Sequence, residues 1–176
     1  MKKTIALVAL ILAAIFAVSC SGKKSEVPDG MKLASDPKAA SYTLYVPESW
    51  TVDMQTSSTR AYCSKEDRSS VMVMTGETEN TDTPVRAWWE SGLSELRALY
   101  PDFEIAAEGE KVKLGGADAE KYVYSGTFDG TKFKYTQVAA VKKGVIYILT
   151  YGAPEDKWES HVEEVEKMIE NFRFSK

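Results

Sequence analysis

Three glycine-bearing turns at near-equal intervals constrain this chain more than any other feature. Gly115-Gly116, Asp129-Gly130 and Lys143-Gly144 each supply residues suited to positive φ, and each separates two runs of strand-forming residues. Such a turn folds the chain back with the twist of its strands preserved. Residues 103–114, 117–128, 132–142 and 145–151 are therefore expected as four long antiparallel strands in a meander. Along the last of them Val145, Tyr147, Leu149 and Tyr151 point one way while Ile146 and Ile148 point the other. A strand with both faces apolar belongs inside a sheet that is covered on both sides.

Two amphipathic helices are available as cover. Thr83-Pro84 supplies a hydroxyl cap and a first-turn proline, and Val85, Trp88, Trp89, Leu93, Leu96 and Tyr100 follow at helical spacing until Pro101. A second helix is expected from Pro154, with Trp158, Val162, Val165, Met168, Ile169 and Phe172 as its buried stripe. Ahead of the first helix, residues 42–46, 50–54, 60–63 and 71–74 read as shorter strands. Val71-Met72-Val73-Met74 is apolar at consecutive positions, which predicts cover on both of its faces as well. These elements add up to an α+β fold, a three-layer α/β/α sandwich with a central antiparallel sheet and helices on both faces.

The beginning of the chain follows a different logic. Lys2 and Lys3 precede an apolar stretch from Ile5 to Val18 that stops at Ser19-Cys20-Ser21-Gly22, the layout of a signal peptide. The stretch is shorter than the roughly 20 apolar residues that a spanning helix needs. Ala17-Val18-Ser19-Cys20 resembles the lipobox of bacterial lipoproteins. That resemblance implies removal of residues 1–19 and acylation of Cys20, so that membrane lipid is a partner through the acylated cysteine. It places the protein on the extracytoplasmic side of the cell membrane or outer membrane. Two or more chains anchor stably because each buried methylene contributes about 0.8 kcal/mol. Residues 20–40, SGKKSEVPDGMKLASDPKAA after the cysteine, are polar and turn-forming and are expected as a flexible tether, leaving 41–176 as the globular domain. With Cys20 in lipid, Cys63 has no intramolecular disulfide partner.

Charge narrows the range of partners. The formal charge of −4 becomes −6 when Lys2 and Lys3 leave with the leader, and an acidic chain is a poor match for nucleic acid. No Walker loop, dinucleotide fingerprint, nucleophile elbow or internal repeat is present, so no enzyme activity, catalytic residue, cofactor or metal ligand is assigned. His161 is the single histidine. A triad or a histidine-rich zinc site needs partners not visible around it, and it reads as a boundary residue with Glu159 and Glu163 nearby. Cys63, between Tyr62 and Ser64 with no histidine near it in sequence, reads as a small apolar strand residue. Glu155, Asp156, Glu159, Glu163, Glu164 and Glu166 make the outer side of the last helix negative. That side reads first as a solvated face and second as a weak cation site or docking surface. Trp88 and Trp89 are adjacent and cannot both face a core squarely, so one is expected to be partly exposed, as contact aromatics are. Trp88, Trp89, Glu159 and Glu163 are thus the candidate partner-binding residues.

Two segments, YTLYVPESW at Tyr42 to Trp50 and IYILTYGAPEDKWESHVEEVEKMIENFRF at Ile146 to Phe174, together with the order of elements between them, resemble the PsbP-like family, typified by the extrinsic subunit of photosystem II. The resemblance implies a central antiparallel sheet with helices on both sides and no enzyme activity. Related proteins act as assembly or docking partners, and those of the structurally similar Ran-binding Mog family act on a GTPase. A lipid anchor and short linker stand here where the photosystem subunit has a long N-terminal region, and no metal-ligand motif transfers. The function expected is that of a membrane-anchored, non-catalytic module of the cell envelope that binds or assembles an envelope protein. The alternative is a small-ligand or metal-binding lipoprotein associated with a transporter, and a hydrolase built on Cys63 or paired acids ranks third.

Overall fold

The computed structural model describes residues 27–53 and 58–175. In chain order the elements are β1 (Met31–Leu33), β2 (Tyr42–Thr43), β3 (Tyr45–Pro47), β4 (Thr51–Asp53), β5 (Thr59–Tyr62), β6 (Ser70–Glu77) and α1 (Val85–Leu99). There follow β7 (Glu104–Leu114), β8 (Ala117–Phe128), β9 (Thr131–Lys142), β10 (Val145–Pro154), α2 (Val162–Asn171) and β11 (Arg173–Phe174), with a turn of 3₁₀-helix at Trp158–His161 before α2. Seven strands form one antiparallel sheet in the order β4-β5-β6-β10-β9-β8-β7.

The hairpins form where the turn chemistry requires them. Asp129 and Gly130 hold φ of 49° and 70°, and Lys143 and Gly144 hold 53° and 76°, the paired positive values that a two-residue turn between twisted strands demands. Because β10 pairs with β9 on one side and β6 on the other, it occupies the middle of the sheet. Its two faces part as expected. Tyr147, Leu149 and Tyr151 join the larger core with Val165 and Met168 of α2 and Phe172 just beyond it, while Ile146 and Ile148 pack beneath Val85 and Trp88 of α1.

Several expectations are corrected. The tether stops short of residue 40, since Met31–Leu33 pairs with Tyr45–Pro47 and Ala34 and Ser35 are buried. Residues 1–19, Cys20 and the expected lipid anchor lie outside the described residues. Among the described residues no helix is long and apolar enough to cross a membrane. Thr83 does not cap α1. Its Oγ1 donates to Asn80 O at 2.9 Å instead, and Pro84 stands at the cap. Helix α2 starts at Val162 rather than at Pro154, because β10 continues to Pro154, paired with Phe133, before the chain turns.

The two faces of the sheet are covered unequally. On one side α2, the β1–β3 ribbon and the β2–β11 ribbon together bury a continuous core that includes Trp50, Leu44 and Val46. On the other side α1 lies alone, against β8, β9 and part of β10. A helix about 10 Å across, laid on strands about 4.8 Å apart, covers two or three of seven. Strands β4, β5 and β6 are left open on that side. Met74 is consequently 40% exposed, which corrects the expectation that both faces of the 71–74 strand are buried.

Candidate functional site

A cleft of about 530 Å³ opens on the uncovered half-face, and strand register explains why it exists. Tyr62, Ser70, Gly152, Tyr135 and Tyr124 stand directly opposite one another across β5, β6, β10, β9 and β8, so all five share the α1 face. In this row two small residues, Ser70 and Gly152, lie between tyrosines and leave the depression. Tyr135 leans over the gap, its ring 2.8 Å from the place where a Cβ on Gly152 would sit. Tyr100, just beyond the end of α1, donates its hydroxyl to Tyr135 Oη at 3.0 Å and walls the cleft from the helix side. Burial, followed by that hydrogen bond, pushes the Tyr135 phenol well above its ordinary value, so the wall is neutral.

Charge enters from the β5–β6 side. Arg60 is two residues before Tyr62 on the same face, and Lys65 and Arg68 follow in the loop. Among the described residues none of the three makes an ion pair within 4.0 Å. Among the described residues the one acid in the lining is Asp53, opposite Arg60 in the ladder. Arg68 is held in place. Its backbone sits at a φ of 64°, uncommon for a residue with a side chain, its Nη1 donates to Thr131 Oγ1 at 2.9 Å, and its guanidinium lies 4.9 Å from the centre of the Phe133 ring. Phe128, 51% exposed, extends the apolar rim. The result is a concave, partly aromatic surface carrying excess positive charge on an acidic molecule.

Behind the same loop, on the α2 face, a second group gathers. The ligand atoms of Cys63, Asp67 and His161 lie within 4.8 Å of one another. His161 Nδ1 is 2.8 Å from Glu164 Oε2 and Nε2 is 3.3 Å from Asp67 Oδ2. Trp50 Nε1 donates to Glu164 Oε2 at 3.1 Å, and the Trp50 ring meets the imidazole edge-on at 5.5 Å. His161 is half-buried at the edge of the core, where a boundary residue stands, and its partners are Glu164 and the distant Asp67 rather than Glu159 and Glu163. Burial pushes the Cys63 thiol above its ordinary value, the Asp67 and Glu164 carboxylates push it further, and both ring nitrogens of His161 are engaged by carboxylates. Asp67 sits below the usual carboxylate range. Its burial acts upward, and hydrogen bonds from Ser69 and His161 outweigh it.

The candidates named from sequence fall elsewhere. Trp89 is 1% exposed, stacked on Tyr122 at 4.1 Å between ring centres, with Nε1 donating to Glu108 Oε1 at 2.9 Å. It lies under α1, so it is withdrawn from any docking surface. Trp88 is half-buried on the β10 side of the helix. Glu159, in the 3₁₀ turn, and Glu163, in the first turn of α2, are exposed on the face away from the cleft, whereas Glu164 turns inward to Trp50 and His161. Sequence reading misses the cleft because its residues come from five segments. The one local signal is the alternation of Arg60, Tyr62 and Ser64 against the buried Ala61.

No protein-family model and no curated protein matches the chain. Similarity is found among solved structures. PsbP of the cyanobacterium Synechocystis superposes with a TM-score of 0.59 at 16% identity, covering 89% of this chain and 97% of that one. LpqN of Mycobacterium tuberculosis, described as involved in cell envelope biogenesis, gives 0.57 at 18% identity over 83% and 91% of the two chains. The Ran-binding protein Mog1p of Saccharomyces cerevisiae gives 0.55 at 12% identity over 82% and 96%. With its seven-stranded antiparallel sheet and a helix on each face, this chain has the PsbP-like fold.

Proposed function

We propose that the protein is a non-catalytic binding module of the cell envelope, anchored through Cys20, and that its binding face is the half-sheet cleft beside α1. The observation that carries this reading is the cleft's composition, with Arg60, Lys65 and Arg68 set around Tyr62, Tyr100 and Tyr135. Guanidinium and ammonium groups beside aromatic rings recognise carboxylates attached to apolar or planar groups. The partner is an acidic segment of an envelope protein that also carries an aromatic or aliphatic side chain. Anchoring raises the effective concentration of the module near such a partner, so a shallow site of modest affinity suffices. Two neighbours of the same fold lend support, the envelope-biogenesis protein LpqN and the Ran-binding Mog1p.

The test uses residues 21–176, which contain every described element, with fluorescent peptides that pair Asp or Glu with Phe or Tyr. Anisotropy is expected to show binding that weakens with salt and falls about tenfold or more in Arg60→Glu/Lys65→Glu, as loss and reversal of two cation contacts requires. Equal binding of acidic and basic peptides would overturn the reading.

A further inference from the structure

We infer that Cys63, Asp67 and His161 form a binding site for a thiophilic divalent transition metal, of which zinc is the chemical type. The three residues offer a thiol, a carboxylate and an imidazole from two segments far apart in the chain, and the fold alone brings them together. Tetrahedral zinc with bonds of about 2.0–2.3 Å to nitrogen, oxygen and sulfur sets its ligand atoms about 3.3–3.7 Å apart. Asp67 Oδ2 and His161 Nε2 already stand 3.3 Å apart. Cys63 Sγ, within 4.8 Å of both, has about 1 Å to close.

What surrounds the three strengthens the inference. A metal-binding histidine characteristically passes its other ring N–H to a carboxylate, which fixes tautomer and orientation. Glu164 stands in that position on Nδ1 at 2.8 Å, and Trp50 Nε1 holds the same oxygen at 3.1 Å. Glu164 is thus a positioning residue on Nδ1, and Nε2 is the nitrogen that takes the metal, giving up to solvent the proton it shares with Asp67. Charge also balances. Cys63 binds as thiolate and His161 through an unprotonated Nε2, the displaced protons leaving to solvent, so that Cys63 and Asp67 together offer two negative charges to a divalent ion. The thiolate and imidazole select zinc-like ions over calcium or magnesium, which prefer an all-oxygen shell. Three protein ligands leave a fourth position open to water or an incoming group.

The site is independent of the cleft and tests separately. Residues 21–176 carry Cys63 as their only thiol. Cobalt(II) added to this protein is expected to give the near-ultraviolet thiolate-to-metal absorption with one equivalent bound, and zinc is expected to displace it and protect Cys63 from alkylation. Cys63→Ser is expected to abolish the band, and Glu164→Gln to weaken zinc binding about 10- to 100-fold. Lys157→Gln, on the exposed turn before the site, is expected to leave both unchanged. Absence of the band from the parent protein, which needs no variant to fold, would overturn the assignment. So would a band that survives in Cys63→Ser, or equal zinc affinity in the parent and Glu164→Gln.

Discussion

Replacing Trp89 by alanine separates the two adjacent tryptophans of α1 by their energetics. Trp89 is 1% exposed, its ring stacks on Tyr122 at 4.1 Å with planes 17° apart, and Tyr124 approaches at 5.7 Å. Deleting a buried aromatic of this size costs about 3–5 kcal/mol, and the lost stacking places this one in the upper half of that range. The lost hydrogen bond to Glu108 adds little. That carboxylate is 32% exposed and keeps Arg86 at 3.3 Å, so it returns partly to water rather than standing unpaired. About 4 kcal/mol is a large part of the 5–15 kcal/mol that stabilises a typical domain, and it corresponds to a fall in Tm of roughly 8–16 °C for a chain of this size. Trp88, half-buried over Ile146 and Ile148, is expected to cost about 1–2 kcal/mol when replaced by alanine. Trp89→Phe keeps the stack and should fall between the two. Urea unfolding followed by far-ultraviolet circular dichroism gives all three differences on a common slope. Equal losses for Trp88→Ala and Trp89→Ala would refute the assignment of Trp89 to the core.

Gly152→Ala places a methyl 2.8 Å from the Tyr135 ring and is expected to cost about 1–3 kcal/mol while reducing peptide binding at the cleft; unchanged binding would show that the floor of the site lies elsewhere. Glu120 supplies the acid-side prediction. Its carboxyl sits below the ordinary range, since hydrogen bonds from Lys111 and Tyr122 outweigh the upward effect of burial. A depressed carboxylate stabilises fully above its unfolded value, about 4.3, and loses that contribution as pH falls through its folded value. Urea midpoints of Glu120→Gln should therefore fall less steeply than those of the parent between about pH 5 and 3, and parallel curves would contradict this.

How much of this was legible in the sequence depends on how local each signal is. The hairpins were readable because each turn needs two residues with positive φ, and Asp129-Gly130 and Lys143-Gly144 announce that within two positions. The central place of β10 was readable because apolar residues on both of its faces must be covered from both sides. The same rule failed at Met72 and Met74, because consecutive apolar residues state a need for cover and cannot state whether a helix is wide enough to meet it. The start of α2 is not legible because Pro154 serves equally as a strand end and as a helix start, and pairing with Phe133 decides between them. Neither site was legible as a unit. Cys63 and His161 carry no spacing motif and meet only because the end of β5 lies against the start of α2. The cleft depends on Ser70 and Gly152 falling opposite each other, a fact of register rather than of composition.

The claim that the open half-sheet is the binding face is tested most directly by photocrosslinking in cells. A crosslinking amino acid is placed singly at Tyr62 in the cleft and at Glu159 or Glu163 on the opposite face of the anchored protein. A discrete adduct with an envelope protein is expected from position 62, lost when Arg60 and Lys65 are changed to Glu, and none of that mass from 159 or 163. An adduct that forms equally from the α2 face, or one from position 62 that survives reversal of both cations, would contradict it.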